Sequence, residues 1–398
     1  MKKHGLIIIF IILAYSLLPA QSLQKTKPGK VGMDEKHLIY ADKVINEAIG
    51  KGEIPGAVLA VVKNKKLAYL KAYGNKQVYP DTVPMTTNTV FDMASVSKSV
   101  STSLSVMVLL ERGQLRLRDN VSLYIPDFKA WTDTLSGKTK PIRIVDLLTH
   151  TSGLPSYAPV AKLKEEYSAP NPDGMMEYIS QVERRSEPGT VFAYSCLNFI
   201  TLQHIVENIS GVNLRNFAQQ NIFRPLKMKH TDYNPSGETL EWTAPTQKQS
   251  DGSVMKGKVH DPLAGVMNGG ISGNAGVFSN AEDLSTLVAM LLNNGEINGV
   301  RVLSPLTVRA MRSIPKGYEK FGRSLGWDIY SPYASDGDLF SIDAYGHTGY
   351  TGTSITIDHE TQTAVILLTN RVHPVDKGSV SRLREVVANI VAASIVKY

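Results

Sequence analysis

The sequence is poor in the groups that cross-link or metallate a protein. It has one cysteine, Cys196, in 398 residues, which excludes an intramolecular disulfide and any cysteine-based zinc or iron–sulfur site. Its nine histidines include no His-x-His and no His-Glu-x-x-His. The pair His359-Glu360 lacks the second histidine, so a zinc hydrolase is disfavoured and no metal or cofactor is expected. No Gly-x-Ser-x-Gly elbow occurs, which removes the α/β-hydrolase route to a nucleophilic serine. No apolar run reaches the ~20 residues of a membrane-spanning helix, and repeats and low-complexity tracts are missing. Lys and Arg exceed Asp and Glu by 43 to 36, a formal net charge of +7, but the excess is dispersed. The densest basic cluster is Lys63-Asn64-Lys65-Lys66, in an expected turn. Without zinc-finger spacing or a basic stripe interleaved with aromatics, nucleic acid is not an expected partner.

What is present is an ordinary globular balance, 42% hydrophobic and 20% charged, in a chain long enough to bury a sizeable core. Lys2 and Lys3, an apolar run over 6–18, and Pro19-Ala20 before a polar stretch form the pattern of a secretory signal peptide. Cleavage after Ala20 is expected, leaving no stable membrane span and placing the protein outside the cytoplasm, in the bacterial periplasm. Loss of residues 1–20 removes Lys2 and Lys3 and lowers the formal charge from +7 to +5. Residues 21–34 read as a flexible mature N-terminus.

From residue 35 the patterns alternate. Leu38, Ile39, Val44, Ile45 and Ala48 recur at helical spacing over 35–50. Apolar runs over 56–62 and 67–74 flank a polar turn, the signature of a hairpin. A long helix is expected over 95–112, closed by Gly113. Shorter helices are expected near 142–149, 173–183 and 196–220. Ser279-Asn280-Ala281-Glu282 reads as a capping box for another helix. Strand runs over 354–358 and 364–368 follow, then a last helix over 379–396. The fold expected is α+β: an antiparallel sheet joins the first and last segments in an α/β sandwich, with a mostly helical subdomain inserted. The unit spans 35–398, with 35–98 and 265–398 forming the α/β lobe and about 99–264 the helical lobe. The cleft between lobes is the expected ligand site.

The chemistry concentrates at Ser95-Val96-Ser97-Lys98. A Ser-x-x-Lys tetrad opening a helix sets both side chains on one face, one turn apart. Serine needs a base to act as a nucleophile, and a desolvated lysine can supply or share that role. The Ser95 N–H at the helix start can face a developing oxyanion. Four other tetrads occur, at Ser22, Ser253, Ser313 and Ser394. Only Ser95 follows a strand-like segment and opens a long apolar helix.

Several blocks in order resemble the class C-type serine β-lactamase and penicillin-binding protein superfamily. They are the Ser95 tetrad; Leu147-Leu148-Thr149-His150-Thr151-Ser152-Gly153-Leu154-Pro155; Tyr194-Ser195-Cys196; Pro225-Leu226-Lys227-Met228; the block over 275–284; and His347-Thr348-Gly349. The resemblance covers about 35–395. It implies a β-lactamase/transpeptidase-like fold and an acyl-enzyme mechanism. Ser95 would be acylated, with Lys98 and Tyr194 sharing proton transfers. Thr348 and Gly349 would edge the cleft, and the Tyr350 N–H would complete the oxyanion hole.

Two positions depart from that pattern. Cys196 stands where the superfamily has an asparagine, and a thiol offers one weak donor where an amide offers two donors and an acceptor. His347 stands where lysine is usual. A histidine titrating near neutrality would lose its hold on a substrate carboxylate as pH rises. Val259-His260-Asp261 either lines the cleft or forms a structural His–Asp pair. His150 reads as structural, and Trp327 as core or cleft wall. The resulting expectation is a serine hydrolase cleaving a cell-wall-derived peptide of the D-Ala-D-Ala type, or a small ester. A β-lactamase and a non-turnover penicillin- or peptidoglycan-binding protein are the alternatives.

Overall fold

The computed structural model describes residues 23–397; the expected export signal and its cleavage point lie outside the described residues. Residues 23–34 correct the expectation of a flexible lead-in. Leu23 and Met33 are buried in the two cores. The Leu67 N–H donates to Gln24 O (2.9 Å) and the Thr26 N–H to Leu67 O (3.0 Å), so this segment pairs with the hairpin. Its apolar residues are what anchor it.

Helix α1 spans Glu35–Gly50 and starts where the Asp34 carboxylate accepts the Lys36 N–H. Strands β1 (Gly56–Lys63), β2 (Lys66–Gln77) and β3 (Val83–Pro84) follow. Next comes α2, which runs π-helical over Lys98–Ser103 and α-helical over Leu104–Glu111. Helix α3 is Cys196–Ser210 and α4 is Ala281–Leu292. Strands β4 (Tyr345–Thr348), β5 (Ser354–Asp358) and β6 (Thr363–Thr369) precede the last helix, α5 (Ser381–Ala393).

The six strands form one antiparallel sheet in the order β4-β5-β6-β1-β2-β3, as the α+β expectation requires. All eight residues of β1 are buried. Val58, Ala60 and Val62 face one core, while Ala57, Leu59 and Val61 face the other. That two-sided burial is why β1 reads as an unbroken apolar run. Each fully buried valine or leucine there stabilises the fold by about 1.5–3 kcal/mol relative to exposure. Leu38 and Ile45 of α1 and Val387 and Val391 of α5 cover one face. Leu284, Leu287 and Val288 of α4 join the core on the other. The chain between β3 and α4 is loop-rich and its regular structure is mainly helical, with further short helices at Ile144–Leu148, Val160–Tyr167, Pro172–Gln181 and Leu214–Ala218.

Local differences from expectation have local causes. The hairpin turn is only Asn64-Lys65, both in the left-handed region (φ 50° and 61°). Lys63 lies in the strand, buried, and donates to the Thr361 carbonyl. The α4 cap is Asn280, not Ser279. Its side chain accepts the Asp283 N–H at 2.9 Å, while Ser279 sits in a short strand with its hydroxyl on Thr231. The helix expected over 196–220 breaks at Gly211, whose φ of 72° closes α3. Helix Val160–Tyr167 escaped notice because its charged residues, Lys162, Lys164, Glu165 and Glu166, leave Leu163 as its one buried residue.

Candidate active site

The nucleophile helix enters through a strained turn. A short three-stranded sheet places Phe91–Asp92 beside Val277–Ser279, and the Met93 N–H donates to Val277 O (2.9 Å). Ala94 then takes φ 45°, a left-handed conformation that costs a non-glycine residue about 1 kcal/mol. Buried Asp92 holds it there by accepting the Ala94 N–H at 2.9 Å. The next residue is Ser95. Three of its buried hydroxyls find partners: Ser99 donates to Gly326 O (2.7 Å), Thr102 donates to Gly273 O (2.7 Å) and Ser101 accepts from the Tyr233 hydroxyl (2.9 Å), while those of Ser103 and Ser105 are buried without one.

Lys98 is fully buried. Its Nζ donates to Ser95 Oγ at 3.0 Å and to the Asn274 carbonyl at 2.8 Å, and it stands 3.7 Å from Cys196 Sγ. The same ammonium lies 5.1 Å from the Tyr194 ring centre. Burial disfavours the Lys98 charge, but Cys196, Tyr194 and Asp261 outweigh it and hold the group above its ordinary value. Burial raises the Tyr194 phenol against the pull of Lys98, and raises the Cys196 thiol likewise. At neutral pH the resting cluster is therefore lysine ammonium, tyrosine phenol and cysteine thiol. Its first proton leaves from the cluster as a unit.

The facing wall is the end of β4. Gly349 is required there, because a Cβ would lie 2.2 Å from Thr353 Oγ1 and 2.5 Å from Met93 O. The Gly349 N–H donates to Thr353 O (2.7 Å) and the Gly352 N–H to Gly349 O (3.0 Å), a tight turn that presents Tyr350. Among the described residues, neither the Ser95 nor the Tyr350 backbone N–H has an acceptor. Two free donors beside a nucleophile are the geometry an oxyanion needs.

His347 corrects the expectation of a titrating cation. It is 2% exposed, and burial lowers it to about 3, with Arg323 and Lys98 adding to that shift and Asp328 opposing it. Its Nδ1 bonds the Thr348 carbonyl at 2.9 Å, so Nδ1 carries the hydrogen and Nε2 a lone pair. The cations on that side are Arg371, ion-paired with Asp376 (2.8 Å), and Arg384, whose Nη2 donates to the Gly349 (2.6 Å) and Thr353 (3.0 Å) carbonyls. With Tyr333, His347 and Thr348 they line a cavity of about 270 Å³ that opens on Ser95. On the other side, Tyr157, Cys196, Met255, His260 and Asp261 line a second cavity of about 520 Å³, also open to Ser95. Ser95, Tyr194 and Tyr350 belong to both. A larger cavity of about 630 Å³, around Lys227, His230 and Trp242, is lined by no serine or cysteine; chemistry selects the Ser95 cleft.

The structure thus gathers Ser95, Lys98, Tyr194, Cys196, His347, Thr348, Gly349 and Tyr350 around one cleft. His260 and Asp261 line it without bonding to each other: His260 Nε2 meets Gln247 (3.2 Å), and Asp261 accepts from Asn274 (3.0 Å) and Tyr157 (3.2 Å). His150 Nδ1 accepts the Ser195 N–H at 3.1 Å and so fixes the loop carrying Tyr194. Asn198 does not substitute for the missing motif asparagine. It points into the core, onto Ser152 and His150. Residues that sequence reasoning missed are Asn274, Tyr157, Arg371 and Arg384. They come from segments distant in sequence, and no local pattern marks them.

A family model described as Beta-lactamase matches residues 41–389. The chain is 33% identical over 369 residues to an "N-acetylmuramyl-L-alanine amidase" of Bacillus subtilis (strain 168), covering 85% of this chain and 82% of that protein. It is 31% identical over 402 residues to a "Putative D-alanyl-D-alanine carboxypeptidase" of Escherichia coli (strain K12), covering 94% and 92%. Among solved structures, EstCE1, described as a hydrolase with promiscuous acyltransferase activity, superposes with a TM-score of 0.72 at 22% identity over 90% of this chain and 99% of that one. That likeness is one of fold.

Proposed function

The chain belongs to the Beta-lactamase family of serine hydrolases, and on that premise we propose that it is an exported carboxypeptidase-like enzyme. It acylates Ser95 and releases the C-terminal residue of D-Ala-D-Ala-type cell-wall peptides, with small esters as simpler acyl donors. The observation that carries this reading is the contact of Lys98 Nζ with Ser95 Oγ (3.0 Å) in a cleft with two unpaired backbone donors. The relatives named as an amidase and a carboxypeptidase point to cell-wall peptides. Arg371 and Arg384 favour a substrate ending in a carboxylate. Export rests on the charge and apolar pattern of residues 1–20.

The chemistry balances without a metal. The active form of the cluster has lost one proton, shared between Lys98 and Tyr194. Ser95 Oγ attacks the carbonyl carbon and its proton passes to that pair. The carbonyl oxygen becomes an oxyanion held by the Ser95 and Tyr350 N–H groups. The pair then protonates the departing amine as the C–N bond breaks. In the second half, Tyr194 takes a proton from water, the water oxygen attacks the acyl carbon, and the C–Oγ bond breaks as the Lys98–Tyr194 pair returns that proton to Ser95, releasing the acid. Cys196 offers a substrate amide less than the usual asparagine, which favours ester over β-lactam turnover.

The test is release of D-alanine from a diacylated Lys-D-Ala-D-Ala peptide, compared with its C-terminal amide. Wild type should release D-alanine, Ser95→Ala should release none, and the amide should be slower by about tenfold, the cost of one lost charge-assisted bond. Equal rates on acid and amide would remove the arginines from the account. An unchanged Ser95→Ala rate would remove the nucleophile.

A further inference from the structure

Behind Tyr194 lies a buried ion pair that the acyl-transfer scheme does not use. Arg323 and Asp328 are 0% and 1% exposed, and Arg323 Nη1 bonds Asp328 Oδ1. The pair is incompletely satisfied. Arg323 Nε and Nη2 and Asp328 Oδ2 are buried without partners. A buried pair with two donors and an acceptor left unbonded is a poor stability device, since apolar side chains of similar volume commonly serve as well or better. Its position is more informative. The Arg323 guanidinium carbon stands 5.8 Å from the Tyr194 ring centre, and Lys98 Nζ stands 5.1 Å from the same centre.

The turn over 323–328 is pinned to the elements that carry the site. The Ser99 hydroxyl donates to Gly326 O (2.7 Å) and the Gly326 N–H donates to Leu148 O (3.1 Å). Asp328 and Gly346 exchange both backbone bonds at 2.9 Å. The helix of Lys98, the segment leading to His150, and β4 with His347 therefore all grip this turn. Gly326 lets it approach so closely: at φ 87°, a Cβ would sit 1.7 Å from Ser103 Oγ. The guanidinium is held in register with the catalytic cluster rather than placed at random in the core.

We propose that Arg323 is a positioning residue for Tyr194: a second buried cation over its ring that stabilises the ionised phenolate used in acyl transfer, with Asp328 setting how much of that charge Tyr194 feels. The inference rests on the hydrolase reading above. The other groups facing Tyr194 are accounted for. Ser95 and Lys98 come from the start of α2, and Cys196 from α3. His150, 4.3 Å away between ring centres, and His347, 6.3 Å away, are both held neutral by burial. The Tyr333 ring lies 4.9 Å away, tilted by 37°. Arg371 and Arg384 line one cavity with Tyr194, and Asp261 lines the other; Lys98 and Arg323 are the cations set against its ring, and Arg323 makes no contact with Ser95 that would give it a second role.

The experiment perturbs the pair in both directions. Arg323→Met with Asp328→Leu removes both charges and fills the space. Asp328→Asn leaves Arg323 unneutralised, and Arg323→Lys keeps the cation. The first readout is the pH profile of kcat/KM for p-nitrophenyl acetate. The second is the pH titration of the Tyr194 resonance in protein carrying 13C-labelled tyrosine, assigned with Tyr194→Phe. The double variant should move the rising limb and the Tyr194 midpoint up by about one pH unit, as expected for a half-neutralised charge some 6 Å away. Asp328→Asn should move both down, and Arg323→Lys should stay near wild type. Shifts in one direction for all variants, or no shift, overturn the proposal as a merely structural pair would. A Tyr194 midpoint that moves as stated in an enzyme without Ser95-dependent turnover would uphold the charge assignment and sink the hydrolase reading instead.

Discussion

Acidification should cost this protein stability through His347 in particular. The side chain is 2% exposed and held near pKa 3 by burial, against about 6.5 in an unfolded chain. Between those values the unfolded chain binds a proton that the folded chain refuses, so stability falls as pH falls. At pH 7.5 neither state is protonated and the contribution is nil. At pH 4.5 the unfolded imidazole is about two units below its midpoint while the folded one remains neutral. The loss is then about 2–3 kcal/mol. Other groups titrate over the same range: Asp92 and Asp283, raised by burial to about 6, act in the opposite sense. The measurement must therefore be a difference. Urea unfolding of wild type and His347→Gln at pH 7.5 and 4.5 gives it. The variant's stability relative to wild type should improve by about 2–3 kcal/mol on going to pH 4.5. A difference independent of pH would mean that His347 is charged in the fold or open to water, and the neutral-wall description of the cleft would fail.

Further outcomes follow from the same geometry. Because His347 does not titrate in the working range, the preference for a carboxylate-ended substrate over its amide should stay flat from pH 5 to 8. A histidine at its ordinary value would change that ratio by up to about thirtyfold, so parallel kcat/KM profiles of the two substrates decide it. Cys196→Asn puts a full acceptor where Sγ stands 3.7 Å from Lys98 Nζ and adds amide donors to the cleft; acylation by a chromogenic cephalosporin should rise about tenfold, with ester turnover little changed. Gly349→Ala would force a Cβ to within 2.2 Å of Thr353 Oγ1 and displace the Tyr350 N–H. An ester kcat lower by about a hundredfold, with an unfolding free energy from urea titration lowered by about 1–3 kcal/mol of overpacking, is the expected signature.

What was legible in the sequence was whatever local pattern encodes. The two-sided burial of β1 writes an apolar run, and a polar turn writes the hairpin. The long helix that begins after Ser95 shows in its leucines and valines. The Ser95 tetrad, Tyr194 and His347-Thr348-Gly349 were identifiable by order and motif, and the fold brings them to one cleft. What was not legible depends on packing between distant segments. Nothing near His347 announces that it is buried, so the sequence alone leaves its charge open. Arg371 and Arg384 lie more than 270 positions from Ser95 in sequence, yet line its cavity. Lys98 finds the Asn274 carbonyl across 176 positions, and Asn274 carries no motif of its own. The lead-in over 23–34 looked loose because short segments hold few signals; Leu23 and Met33 are buried only because the hairpin and α5 are there to receive them.

The most direct test of the account is intact-mass spectrometry of the protein rapidly quenched after mixing with an activated acyl ester, followed by peptide mapping. The account predicts one acyl group per chain, on Ser95, formed faster as pH rises through the first deprotonation of the Lys98–Tyr194 cluster and missing from Ser95→Ala. An adduct on another residue, or turnover that persists in Ser95→Ala with no adduct in the wild type, would contradict it.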